Sequence, residues 1–390
     1  MRIDSAQAFN FLPVPTDIHF GYGMLRSLPR QVRTVGGGSV FVVTDPGVRA
    51  AGIVDRLVTL LDDESVHFTI YDAVTPDSGS TLIADAVAEL KSSGAGVVVG
   101  IGGGSALDTA KAVAALATNP GSPLDYVGLN KVAVRPLPFI AVPTTAGTGS
   151  EVSLWSVFTD DARRLKVAIG GVLLYPAIAL CDPELTLDLP PALTASTGMD
   201  ALAHAIECYT NNACQPISAA LALRAIELIG SHLRGAALNG RNRESRYAMM
   251  LASTMAGVAM NPTRLGLAHA LAMPLGSWDL KIPHGIAVAV MLPIVMQFNC
   301  AAVPERFGAV SRALGEPVDG VSPRDAAARA AAAVRRLADD VGIPKGLSAF
   351  GLAEEQVPAV VEEAMKSGNV AVNPRRTSTE DMAGILRSAL

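Results

Sequence analysis

The sequence predicts an α/β N-terminal domain followed by an all-α C-terminal domain. Three observations lead there. Short apolar, β-rich runs alternate with helical patterns through the first half. Strand signals nearly vanish after Asp182, where helical patterns follow one another. Between the halves, the proline-bearing stretch 182–191 (DPELTLDLPP) breaks periodicity on both sides. A length of 390 residues suits two ordinary domains, here residues 1–185 and 186–390.

Residues 39–44 (SVFVVT) and 96–101 (GVVVGI) are continuous apolar runs bounded by turn residues, the pattern of parallel strands buried on both faces. Residues 66–71 and 139–142 read the same way. Helical spacing covers 48–61, 82–90 and 105–117, so strand and helix alternate as in an open α/β sheet. Beyond the join, helices are expected at 191–209, 217–233, 244–260, 265–275, 284–298, 324–341, 353–366 and 379–390. A cleft between two such domains is a favoured place for a ligand.

Composition narrows the function. Half the residues are hydrophobic and 17% are charged, enough for a large buried core. The net charge is −5 and no long basic run occurs, which argues against a nucleic-acid partner. The mostly apolar run 285–296 is too short to cross a bilayer, and the N-terminus lacks the order of a signal peptide, so no membrane partner is expected. Cys181, Cys208, Cys214 and Cys300 form no CxxC and fit reduced thiols in the cytoplasm.

Gly102-Gly103-Gly104-Ser105 follows a strand pattern and opens a helix. Glycines let backbone N–H groups approach an anion, and a helix N-terminus adds favourable partial charge. Ser105 can cap the helix and donate to a phosphate oxygen. A tight strand–helix turn without a ligand is the plain alternative. Asp45, ending the first of the strands above, can accept from ribose hydroxyls and repel a 2′-phosphate, favouring NAD over NADP. It can equally be the cap of the helix beginning near Pro46. The loop 143–151 (PTTAGTGSE) follows another strand and belongs on the same sheet edge. Because Asp45 precedes the glycines, the order differs from the standard dinucleotide fingerprint, and any dinucleotide binds by a variant arrangement.

Asp200 and His204 are four apart in a helical pattern and share a face. His269 and His284 each lie at or near a helix start. One carboxylate and three imidazoles suit Fe²⁺ or Zn²⁺; a local contact along one helix explains the Asp200/His204 pair as well. His19, His67 and His232 match no motif.

Taken together, 102–111 (GGGSALDTAK), 143–151 (PTTAGTGSE), 198–207 (GMDALAHAIE), 266–276 (GLAHALAMPLG) and 283–285 (PHG) resemble the iron-containing, group III alcohol dehydrogenases. The likeness spans nearly the whole chain in the family's order, including Asn373-Pro374-Arg375 near the end. It implies a dehydroquinate-synthase-like fold, in which an α/β dinucleotide domain precedes a helical metal domain. It implies NAD(P)-dependent interconversion of small primary alcohols and aldehydes, assembly as a homodimer or higher homo-oligomer, and Fe²⁺, with Zn²⁺ as the alternative metal. By matching position, Asp200, His204, His269 and His284 are the metal ligands. Gly103, Gly104 and Ser105 hold the pyrophosphate, Thr144, Thr145, Thr148 and Lys166 contact the coenzyme, and Asp45 sits by the adenosine ribose. The coenzyme loop and the metal then face each other for hydride transfer.

One departure stands out. Many relatives carry a second histidine four residues after the one matching His269; this chain has Met273, which cannot move a proton. Met273 is expected to pack on the nicotinamide side, with water, a ribose hydroxyl or a substrate group moving the proton. Trp155 and Met260 also differ from some relatives at pocket positions. Arg264 and Lys281 flank the ligand segments and can face an anionic substrate tail or solvent. Three rivals remain: a maleylacetate-reductase-like enzyme without metal, a dehydroquinate-synthase-like lyase, and an impaired NAD-binding relative.

Overall fold

The computed structural model describes residues 9, 11, 13–276, 280 and 282–390. The chain divides into two compact units, one spanning Val14–Leu189 and the other containing Pro190–Leu390.

The first unit holds nine strands: β1 (Asp17–Phe20), β2 (Ser39–Val43), β3 (His67–Tyr71), β4 (Val97–Gly102), β5 (Gly128–Leu129), β6 (Phe139–Pro143), β7 (Trp155–Asp160), β8 (Leu165–Gly170) and β9 (Ile178–Cys181). Its α-helices are α1 (Leu28–Thr34), α2 (Pro46–Ala50), α3 (Ile53–Asp63), α4 (Ser80–Ser93) and α5 (Gly104–Thr118). Six strands form one sheet in the order β1-β9-β6-β4-β2-β3, with every pairing parallel. Side chains alternate across it. Phe41, Val43 and Val98 join Leu107 and Val113 of α5 and Ile83 and Leu90 of α4 in one core. Val40, Val42, Val97 and Val99 join Leu28 of α1 and Leu57 and Leu61 of α3 in another. With both faces covered, the fully buried positions of β2 and β4 are all non-polar, which is why these strands stand out as apolar runs.

The helical pattern 48–61 is interrupted. Gly52 takes φ +72, a left-handed conformation that ends α2 and starts α3. Strands β1 and β9 and the antiparallel pair β7/β8 lie outside the runs read above; β7 and β8 form a small sheet with β5. The edge strand β1 pairs with β9 in register Asp17↔Ile178. Just beyond β9, the buried Asp182 carboxylate accepts from the backbone N–H groups of Gly23, Leu25 and Glu184 at 3.0–3.1 Å.

The second unit is helical among its described residues: α6 (Pro191–Thr210), α7 (Pro216–Leu238), α8 (Arg243–Thr263), α9 (Leu267–Leu275), α10 (His284–Asn299), α11 (Pro304–Ala313), α12 (Pro323–Asp340), α13 (Val357–Ala364), α14 (Gly368–Ala371) and α15 (Thr379–Arg387). Among the described residues no helix is long and apolar enough to cross a membrane. Nearly every residue of α6 from Thr194 onward is buried, which places its polar side chains in the middle of the bundle. The reciprocal amide pair Asn299–Asn373, at 2.8 Å each way, ties the C-terminal segment to α10.

Candidate metal and coenzyme sites

In the first unit the register Gly102↔Pro143 brings the ends of β4 and β6 side by side, so the glycine turn and the hydroxyl-rich loop share one edge of the sheet. The Thr144 N–H donates to the Gly102 carbonyl at 2.9 Å. Gly103 is the extended N-cap of the 15-residue helix α5 and supplies no capping side chain. The first-turn N–H groups of a helix lack intrahelical partners and favour an anion. A Cβ on Gly104 would lie 2.7 Å from Thr148 Cγ2, and one on Gly103 3.4 Å from Thr145 Cγ2, so the loop packs directly on the turn.

Asp45 is the N-cap of α2: its Oδ1 accepts from the Val48 N–H at 2.9 Å. Its Oδ2 lies 3.1 Å from where a Cβ on Gly102 would stand. One carboxylate oxygen thus caps a helix while the other lies beside the glycine turn. Lys166, on β8, is nearly buried and pairs with Asp77 at 2.6 Å; the Asp77 N–H also reaches Ser105 Oγ at 3.4 Å. The loop around Asp77 therefore joins Ser105 and Lys166, a link no local pattern announced.

The second unit gathers a buried polar cluster from three helices. Asp200 and His204 project from α6, His269 from α9, and His284 is the first residue of α10. Asp200 Oδ1 lies 3.4 Å from His269 Nε2, 3.8 Å from His284 Nε2 and 4.0 Å from His204 Nε2. Ligand atoms of Asp200, His269 and His284 all fall within 4.8 Å of one another. His204 stands outside that triad, its ring stacked on His269 at 4.6 Å between centroids. Two glycines permit the approach. A Cβ on Gly285 would stand 2.7 Å from the Ser196 carbonyl oxygen, so α10 starts against the backbone of α6. A Cβ on Gly266 would stand 2.7 Å from Glu207 Oε1.

Glu207, one further turn along α6, is the residue that sequence reasoning passed over. It follows His204 by three positions and Asp200 by seven, which was the available signal. Its Oε2 accepts from His269 Nδ1 at 2.6 Å and from the Gly266 N–H at 2.8 Å; Oε1 accepts from the Ala268 N–H at 2.7 Å. An ionised carboxylate only accepts, so Nδ1 carries a proton, and in the neutral ring that a metal ion requires the Nε2 lone pair points towards Asp200. That is the usual orienting contact behind a metal-bound histidine.

The cluster fits a divalent ion. Asp200 Oδ1 and His269 Nε2 are inaccessible and have no hydrogen-bond partner. Leaving such buried acceptors unmatched costs about 1–3 kcal/mol each. Ligand atoms at 2.0–2.2 Å from one ion stand roughly 3.4 Å apart, close to the separations above. Burial alone would raise the Asp200 carboxyl, but the imidazoles of His204, His269 and His284 outweigh it and hold the group well below the usual carboxylate range. Burial disfavours a charged His269, yet Glu207 and Asp200 raise it to about 9. The raised His269 reports the negative charge of Glu207 and Asp200 around it, which suits a cation, and the lowered Asp200 keeps its carboxylate ionised.

The remaining candidates are scattered. Met273, half-buried, is one turn beyond His269 on α9, and Met260 lies on α8. Arg264 ends α8 with φ +61, its side chain exposed and its guanidinium close to Gly368. Trp155 belongs to β7 in the first unit and packs over Gly170. Lys281 lies outside the described residues.

Comparison with known proteins identifies the family. Residues 15–183 match the family description "iron-containing alcohol dehydrogenase", and residues 194–390 match that family's C-terminal domain. The chain is 38% identical to 1,3-propanediol dehydrogenase of Klebsiella pneumoniae, covering 99% of this chain and 100% of that one. It is 36% identical to NAD-dependent methanol dehydrogenase of Bacillus methanolicus, covering 98% and 100% respectively. A crystal structure of 1,3-propanediol oxidoreductase superposes with a TM-score of 0.95 at 37% identity, covering 98% of this chain and 100% of that one. The chain therefore belongs to the iron-containing alcohol dehydrogenase family. Its reaction class follows: it is an oxidoreductase of alcohols and aldehydes that uses NAD and a metal.

Proposed function

We propose that this enzyme interconverts small primary alcohols and the matching aldehydes, using NAD in preference to NADP and Fe²⁺ in preference to Zn²⁺. The observation that carries the reading is the buried Asp200–His269–His284 cluster with two unmatched acceptors, backed by Glu207. Asp200, His269 and His284 hold the ion with His204 as the fourth ligand. When bound, the ion supplies Lewis acidity at the substrate oxygen and the nicotinamide supplies or accepts the hydride.

The chain's own residues do the positioning. Glu207 keeps the His269 proton on Nδ1 and so keeps Nε2 a donor of electrons. The α5 N-terminus, with Gly103, Gly104 and the Ser105 hydroxyl, receives the pyrophosphate. Thr144, Thr145, Thr148 and Lys166 line the coenzyme beside it. The uncommitted oxygen of Asp45 accepts from a ribose hydroxyl and repels a 2′-phosphate. Met273 has no titratable proton, so the proton released or consumed passes through water, a ribose hydroxyl or the substrate.

The unmatched acceptors weigh against a metal-free double-bond reductase, for which they would be an uncompensated cost. Four free cysteines, three of them buried, fit a reducing compartment, and we place the enzyme in the cytoplasm. We propose a homodimer, to be checked by sedimentation. The functional test is NADH oxidation across small aldehydes with Fe²⁺, Zn²⁺ and no metal. Metal-dependent turnover is expected; turnover unaffected by exhaustive chelation would reject the reading.

A further inference from the structure

The helix that opens with the glycine turn carries, further along, a fully buried ammonium that no role described so far uses. Lys111 is 1% exposed. Its Nζ donates to the carbonyl oxygens of Ser150 at 3.1 Å, Ser153 at 2.9 Å and Trp155 at 2.5 Å. The Ser150 and Ser153 hydroxyls stand at 3.4 and 3.3 Å. Three residues earlier on the same face, Asp108 accepts from Ser150 Oγ and from the Val157 N–H, the latter at 3.0 Å, and its own carbonyl accepts from Ser156 Oγ at 2.7 Å. The ammonium and the carboxylate are 3.9 Å apart.

We propose that Lys111, paired with Asp108, is a positioning residue that fixes the hydroxyl-rich loop relative to the glycine turn, so that both meet the coenzyme preformed. The inference rests on the reading of those two segments as the coenzyme site.

The physical argument is one of matching. An ammonium has three donors, and here three carbonyls from one short stretch converge on it. Such convergence turns three peptide dipoles inward, which is unfavourable without a cation between them. The loop conformation and the buried lysine therefore require each other. Both groups of the latch stand on α5, whose first turn is the glycine turn, so helix and loop form one rigid body. Thr148 and Thr145, packed against Gly104 and Gly103, sit between these fixed points. A methionine at 111 has a similar length but no donor, and leaves the carbonyls facing one another. A misplacement of about 1 Å costs on the order of 10²-fold in rate where reacting groups are concerned, and a loop that no longer meets the coenzyme preformed must pay its ordering cost on binding.

The test uses the full-length protein. NADH affinity is measured by fluorescence titration for wild type, Lys111→Met and Lys111→Ala, with metal content recorded in parallel. Lys111→Met is expected to bind NADH roughly tenfold to hundredfold more weakly at unchanged metal content. In Lys111→Ala, methylammonium should restore part of that affinity, whereas tetramethylammonium, with no N–H donor, should not. Wild-type NADH affinity in Lys111→Met would overturn the proposal. Wild type itself failing to bind NADH would instead strike the coenzyme reading. Hydrogen exchange on the free wild type covers the case where the variants do not fold. The amides of Val152, Ser153 and Val157 should be protected before NADH is added; protection that appears only with NADH would overturn the latch.

Discussion

Glu207→Gln is the substitution that discriminates most sharply between a metal centre and a merely polar core. The carboxylate accepts three hydrogen bonds, from His269 Nδ1 and from the Gly266 and Ala268 N–H groups. Glutamine keeps the shape but has one acceptor oxygen and one NH₂ group. If the oxygen stays at the Oε2 position, His269 and Gly266 keep their acceptor, and the Ala268 N–H faces another donor. If the amide is flipped, Gly266 loses its acceptor and His269 is driven to the other tautomer, with a proton on Nε2. Each arrangement leaves one backbone N–H unmatched, but the second also puts a proton on Nε2, the atom that faces the metal, so with metal bound the first should prevail. One buried donor left unmatched costs about 1–3 kcal/mol of stability. The weaker acceptor also makes His269 a poorer electron donor, and loss of an orienting partner typically lowers metal affinity about 10–100-fold. That corresponds to about 1.4–2.7 kcal/mol of binding. The assay is competition with a graded chelator for Fe²⁺ and Zn²⁺, with NADH binding as an internal control on the other unit. Metal affinity should fall within that range while NADH affinity stays put. A Glu207→Gln protein that folds and holds metal as tightly as wild type would refute the assignment of Glu207, and with it the orientation given to His269.

Asp45→Gly should raise the NADPH-to-NADH ratio of catalytic efficiencies while changing stability by only a few tenths of a kcal/mol, because glycine is a tolerable N-cap; a ratio unchanged from wild type would remove the ribose role. Gly285→Ala places a methyl 2.7 Å from a backbone carbonyl, and should destabilise by about 1–3 kcal/mol and shift His284 enough to lower metal content, both read from melting and metal analysis. Burial lowers Lys111 to about 8, outweighing Asp108 and Glu151. The unfolded chain keeps its proton up to the ordinary lysine value near 10.5, so between those limits the unfolded state binds more protons and this group's contribution to stability rises with pH. The rise is roughly 3 kcal/mol across the window and nil below it. Urea midpoints of wild type minus Lys111→Met should show that slope between pH 8 and 10.5, and a flat difference would contradict it.

The parts legible from sequence were those whose cause is local or whose environment is uniform. Strands β2 and β4 announced themselves because both faces are buried and no polar residue interrupts them. β7 was hidden by the opposite circumstance: it alternates between buried and half-buried positions, and its apolar residues are too few to make a run. The Gly52 break fell inside a pattern whose apolar spacing continues on either side, so only backbone conformation separates α2 from α3. Asp200 and His204 were visible as one helix face. Their meeting with His269 and His284 depends on how α9 and α10 pack against α6, and no spacing in the sequence encodes that distance. Glu207 and Lys111 stood inside the motifs quoted for the family resemblance, yet the hydrogen-bond partners of each side chain lie 39 to 62 residues away.

The pairing of β1 with β9 sets a schedule for synthesis. Asp17 leaves the ribosome 161 residues before its partner Ile178, and at about 5–20 residues per second that is a wait of roughly 8–32 s. The Asp182 carboxylate, which collects the Gly23 and Leu25 amides, arrives later still. Through that interval the first strand of the sheet has no partner, while β2, β3 and β4 can already pair among themselves. The earliest strand made is thus the last to dock, and its edge is exposed to nascent neighbours on the same polysome for longer than any other in the sheet. A short edge strand of four residues, opening on Asp17 and carrying His19, is poorly suited to recruiting such neighbours.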